Sequence, residues 1–119
     1  MNIIFRIQDK DGRGPWKPGF SHLWSDSKSP ADYSRLPTWM QEFGRVDQLV
    51  VPGEWSGTAC QSIEQARLWF SPKEYKRLLY LKYRFVKMGV DRILASSEVQ
   101  CYFARSRPLN IGFEVIALY

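Results

Sequence analysis

The chain has 119 residues, 45% of them hydrophobic and 15% aromatic, with a formal net charge of +5. That is enough for one domain, residues 1–119, with a real core; it leaves no room for a second domain and is too apolar for disorder. Two cysteines outside any C-x-x-C pair, Cys60 and Cys101, and a single histidine, His22, exclude a disulfide framework and leave no zinc-ligand pattern, while no apolar run reaches membrane-spanning length and no leader pattern opens the chain. A soluble, cytoplasmic protein without a metal is therefore expected.

The first element is a strand over Asn2–Gln8, with Ile3, Phe5 and Ile7 on one face and Ile4, Arg6 and Gln8 on the other. An arginine between apolar neighbours in a strand has two readings. It is an edge residue whose guanidinium reaches back to water, or an anion-binding group at the base of a cleft, since its planar fork grips phosphate through two hydrogen bonds. Residues 9–19 (DKDGRGPWKPG) are dense in turn formers and read as a surface loop that carries Trp16; they lack the spacing of a phosphate-binding glycine loop.

Leu23 and Trp24 sit in a short helix or strand, and His22 beside them reads as a loop or core residue rather than a catalyst. Ser29 then caps a helix with Pro30 in its first position and Tyr33 and Leu36 facing inward. Pro37 ends it. Thr38 caps a further segment carrying Trp39, Met40 and Phe43, which Gly44 closes. The apolar run at Leu49, Val50 and Val51 is too short to assign, and residues 52–58 read as a loop.

Two helix starts follow. Ser62 with Gln65 forms a capping box before a stripe of Ile63, Ala66 and Phe70. Ser71 caps a second helix with Pro72 in its first position and Glu74 completing the box; Tyr75, Leu78, Leu79 and the stem of Lys82 form its buried face. The Ser71-Pro72 interruption predicts two short helices meeting at a corner. From Arg84 the period changes to two, which predicts a half-buried strand to Val90. Residues 91–98 read as a turn. Val99, Cys101 and Phe103 then alternate with Gln100, Tyr102 and Ala104 in another strand, and Phe113, Val115 and Ala117 mark a closing one. The whole reads as an α+β domain: a small, mostly antiparallel sheet with short helices packed against it.

Three blocks, FRIQDKDGRGP with the following PGFSHLW, CQSIEQARLWFSPKEYKRL, and RFVKMGVDRILASSEVQCYFARSRPL, together resemble an uncharacterised family of small phage and prophage proteins. Their order is in turn similar to the ADP-ribosyltransferase fold, including the bacterial toxins called RES domains. The resemblance implies an NAD cofactor in the cytoplasm of a host cell. It places Arg6 where transferases hold an NAD phosphate or ribose, and Ser62, or alternatively Thr58, where a hydroxyl orders the cleft. Glu98 or Gln100 takes the place of the acid that stabilises the charge developing as nicotinamide leaves; of the two, only Glu98 carries charge. Trp16 or Tyr102 is of the type that stacks on the nicotinamide. The target is then a host macromolecule modified by mono-ADP-ribosylation.

A second class of function fits the same chain: a non-enzymatic phage inhibitor of host defence, of the anti-CRISPR kind, that binds a host protein or nucleoprotein complex through basic and aromatic side chains. Lys73, Lys76, Arg77, Arg105 and Arg107 are the basic residues that could meet nucleic acid, although no RNP, zinc-finger or helix-turn-helix pattern accompanies them.

Overall fold

A computed structural model describes residues 2–17, 19–26 and 36–119. The helix expected after Ser29 falls mostly on residues 27–35 and lies outside the described residues.

Among the described residues six strands form two three-stranded antiparallel sheets. The first holds β1 (Asn2–Gln8), β3 (Arg84–Val90) and β6 (Phe113–Ile116) in the order β1-β3-β6; the second holds β2 (Trp55–Ala59), β5 (Cys101–Arg105) and β4 (Arg92–Ser96) in the order β2-β5-β4. Reciprocal 2.8 Å backbone hydrogen bonds between Phe5 and Cys60 stitch them together. Among the described residues three short α-helices pack with them: α1 (Trp39–Phe43), α2 (Ile63–Trp69) and α3 (Pro72–Tyr80). No helix among the described residues is long and apolar enough to cross a membrane.

The helix starts follow their local chemistry. Thr38 and Ser71 each accept from the third helical N–H while Gln41 and Glu74 reach back to the cap's own N–H, and Pro72 occupies the first turn of α3. Each such cap contributes about 1 kcal/mol. Ser62 accepts from the Gln65 N–H, but the Gln65 amide oxygen takes the N–H of Gln61 rather than that of Ser62. Lys82 differs from expectation. The helix ends at Tyr80, Lys82 turns the chain toward β3 at φ +73, and its side chain is exposed instead of lying on the buried face.

As expected, the central strand β3 is half-buried: Val86, Met88 and Val90 are buried on one face, while on the other Phe85 is buried and Lys87 is exposed. Phe85 packs with Ile7, Trp24, Ala66, Phe70 and Leu78, beneath α2 and α3. Val86, Met88 and Val90 pack with Ile4, Ala59, Cys101 and Phe103, against the second sheet. The first sheet is thus sandwiched between helices and the second sheet. Two strands were not anticipated. Residues 55–59 form β2 and residues 92–96 form β4, a short edge strand with a register irregularity between Ile93 and Ala95. Neither carries a long alternating apolar pattern, so only pairing with β5, both of whose faces are buried, makes them strands.

Candidate functional site

The alternation of β1 decides where Arg6 goes. Its neighbours on the same face, Ile4 and Gln8, are 0% and 1% exposed, and Arg6 itself is 9% exposed, turned inward between the two sheets. Although β1 lies at the edge of its sheet, the guanidinium therefore does not reach back to water. The guanidinium carbon lies 5.5 Å from the centre of the Phe103 ring. Directly across from Phe103 on β2 stands Gly57, and a Cβ there would come within 3.1 Å of Arg6 Nη1. The missing side chain is what gives the guanidinium room.

Among the described residues no acceptor meets Arg6 Nε or Nη1, both of which are buried. Asp9 favours the charged form from a distance, but its carboxylate accepts from Lys17 Nζ at 3.0 Å and from the backbone N–H groups of Asp11 and Arg13. Burial accordingly pushes the Arg6 pKa down to about 10, still high enough for full protonation at neutral pH. A buried charge without a counter-ion costs several kcal/mol, and folded proteins rarely leave buried donors unpaired.

Arg6 opens into a cleft of about 550 Å³, whose walls include Trp16, Trp39, Tyr102, Thr58 and Gln100. The 9–17 loop supplies Trp16, whose ring rests edge-on against Trp24 at 4.7 Å; Trp24 in turn donates its indole N–H to the Pro15 carbonyl. Helix α1 supplies Trp39, whose ring lies 4.9 Å from that of Tyr102 on β5, and the Tyr102 hydroxyl is 3.1 Å from Ser56 Oγ. A second opening of about 810 Å³ on the other side of the loop shares Arg6, Gly14, Trp16 and Lys17, and adds Arg13 and Trp55.

Of the residues singled out in the sequence, Arg6, Trp16, Gln100 and Tyr102 therefore meet in one cleft, together with Thr58. Ser62 is not among the lining residues; its hydroxyl caps α2. Glu98 is exposed in the turn between β4 and β5, where its backbone carbonyl accepts from Gln65, and it does not line the cleft. Gln100 is 4% exposed, and its amide nitrogen donates to the Pro37 carbonyl at 2.8 Å and to Glu42 Oε1 at 2.9 Å. Trp39, Gly57 and Glu42 were not singled out in the sequence as residues of a site. The capping box at Thr38 located α1, but no local signal says that this helix packs beside β5.

The basic residues do not act as one surface. Lys73 and Lys76 are exposed. Arg77 pairs with Asp26 at 2.6 Å and donates to the Trp24 carbonyl. Arg105, named as a possible nucleic-acid contact, is 2% exposed and donates to the carbonyls of Pro108, Ile111 and Gly112, so it holds the loop before β6 rather than a partner. Arg107 is exposed with its guanidinium against Gly112. Among the described residues no three His, Cys, Asp or Glu side chains gather into a set that could hold a metal ion. Cys60 and Cys101 are buried free thiols whose pKa values burial pushes up to about 12, which leaves them unreactive at neutral pH.

Compared with protein-family models, curated proteins and solved structures, the chain matches none.

Proposed function

We propose that this domain binds NAD in the Arg6 cleft, in the manner of a small ADP-ribosyltransferase-like protein directed at a host macromolecule. One observation carries the reading: an arginine turned inward between two sheets, its Nε and Nη1 buried without a hydrogen-bond partner among the described residues, lining a cleft walled by aromatic rings. An anion supplied from outside would satisfy it. The planar fork suits a phosphate oxygen pair, while Trp16, Trp39 and Tyr102 offer faces and edges to a heteroaromatic ring. When bound, NAD would supply a glycosidic bond with a good leaving group. Binding is the part of the transferase reading that the geometry supports best, because the described lining residues of this cleft include no carboxylate to stabilise positive charge at the ribose.

The test is thermal stability with and without millimolar NAD, in the wild type and in Arg6→Met. Ligand at one hundred times its dissociation constant adds about 2.7 kcal/mol. Stabilisation of the wild type alone supports the cleft; no shift in either protein rejects the reading.

A second reading, docking of a basic and aromatic face onto a host nucleoprotein complex, draws on α3. Lys73, Lys76 and Tyr80 fall at i, i+3 and i+7 on one exposed stripe, with Tyr80 84% exposed. It expects host-partner capture that weakens with salt and is lost on Tyr80→Ala, with Arg6→Met harmless.

A further inference from the structure

Gln100 is held in a single orientation by acceptors. Its amide nitrogen faces the Pro37 carbonyl at 2.8 Å and Glu42 Oε1 at 2.9 Å. Both partners are acceptors, so the two N–H groups must point at them; the flipped amide would set oxygen against oxygen twice. Glu42 Oε1 is fixed in its turn by the Ser97 hydroxyl at 2.8 Å, and Ser97 Oγ also accepts from the backbone N–H groups of Val99 and Gln100. With both amide protons spent on the helix side, the Gln100 oxygen is the one polar atom of that side chain left without a partner among the described residues, and Gln100 lines the cleft.

We infer that Glu42 is a positioning residue that locks Gln100 as an acceptor toward the cleft, so that the cleft selects a ligand end bearing an N–H or O–H donor and disfavours one bearing a carboxylate. The inference rests on the nucleotide reading above for the identity of the ligand, but not for the lock itself. The site is thereby polarised. Arg6 at its floor asks for an anion, whereas the Gln100 oxygen, with the Glu42 carboxylate behind it, asks for a neutral or cationic donor group. The Trp39 and Tyr102 rings beside Gln100 favour the same choice, because aromatic faces attract cations and do not stabilise anions.

The ligand-free arm of the test reads the Gln100 side-chain amide in ¹⁵N-labelled protein. A locked amide shows two dispersed proton resonances protected from exchange. Glu42→Ala should accelerate that exchange about tenfold or more, while Glu42→Gln, whose amide oxygen can take the place of Oε1, should restore protection. Equal exchange in the wild type and Glu42→Ala overturns the lock. The ligand arm compares NAD with nicotinic acid adenine dinucleotide, which carries a carboxylate where NAD has a carboxamide. The wild type should prefer NAD by about tenfold, the worth of one hydrogen bond to a buried acceptor, and Gln100→Met should abolish the preference while leaving the amide-independent contact to Arg6. Equal affinities in the wild type overturn the selectivity. Failure of both dinucleotides to bind rejects the NAD reading and the selectivity with it, and the exchange data alone then decide the lock.

Discussion

Replacing Arg6 by methionine should make the ligand-free protein more stable, which is the opposite of what removing a structural arginine does. The depression of the Arg6 pKa to about 10 measures how much the folded protein disfavours the charge. At about 1.4 kcal/mol per pH unit, this corresponds to roughly 3 kcal/mol at neutral pH. Against it stands the attraction to the Phe103 ring, 5.5 Å away and worth about 1 kcal/mol. Nε and Nη1 have no hydrogen bond to the described residues to lose, and methionine fills most of the same volume with a flexible apolar chain. The net expectation is a gain of about 2 kcal/mol. Urea unfolding followed by tryptophan fluorescence would show this as a higher midpoint at unchanged slope. Arg6→Lys keeps the charge but not the fork and should gain nothing. A loss of 2 kcal/mol or more in Arg6→Met would refute the reasoning, since it would mean that the guanidinium has protein partners and holds the fold together.

The pH dependence has a definite sign. The folded pKa of Arg6 lies below its ordinary value, so the folded wild type sheds that proton first, and the advantage of Arg6→Met should shrink as pH rises through about 10 in parallel denaturation series. Cys60 and Cys101 act in the other direction: raised from 9.0 to about 12, they contribute stability that is complete below pH 9 and is lost as pH climbs toward 12. A thiol reagent at pH 8 should find neither until the protein unfolds. Gly57→Ala places a Cβ 3.1 Å from Arg6 Nη1, so it should weaken NAD stabilisation at least fivefold in apparent affinity by calorimetry with little loss of fold. Gly12→Ala, at φ +83 and with a Cβ 2.8 Å from that of Leu109, should instead cost about 2 kcal/mol in chemical unfolding. Arg105→Met leaves three loop carbonyls without their donor and should cost about 2–4 kcal/mol by the same measurement, without changing the response to NAD.

What was legible in the sequence was whatever short-range chemistry controls. The caps at Thr38, Ser62 and Ser71 satisfy orphan backbone donors within one turn, so their residues announce helix starts wherever the chain later packs. The strand at Asn2–Gln8 was equally plain, and its alternation put Arg6, Ile4 and Gln8 on one face. The strands β2 and β4 were not legible for a matching reason. Residues 55–59 (WSGTA) contain a glycine and small polar side chains, and their strand character comes from hydrogen bonding to β5, a partner more than 40 residues away in the chain. The burial of both faces of β5 likewise depends on packing partners that no periodicity of two can report.

The candidate site divides along the same line. Arg6 stood out because a charge between apolar neighbours contradicts its local pattern, and such contradictions tend to mark function. Ser62 and Glu98 were drawn from block order, and one proves to have a complete local role as a cap while the other sits in an exposed turn. Gln100 was expected within the strand but sits just before β5, which begins at Cys101, and its chemistry was invisible. An amide is donor and acceptor at once, and only its surroundings decide which end a ligand meets. Here those surroundings are the Pro37 carbonyl and a carboxylate on α1, 58 residues away in the chain. Under the transferase reading proposed above, a glutamine at this position is therefore not simply a lost charge. With Glu42 behind it, the position retains negative character at one remove, able to orient and select a donor group without presenting an anion directly to the cleft.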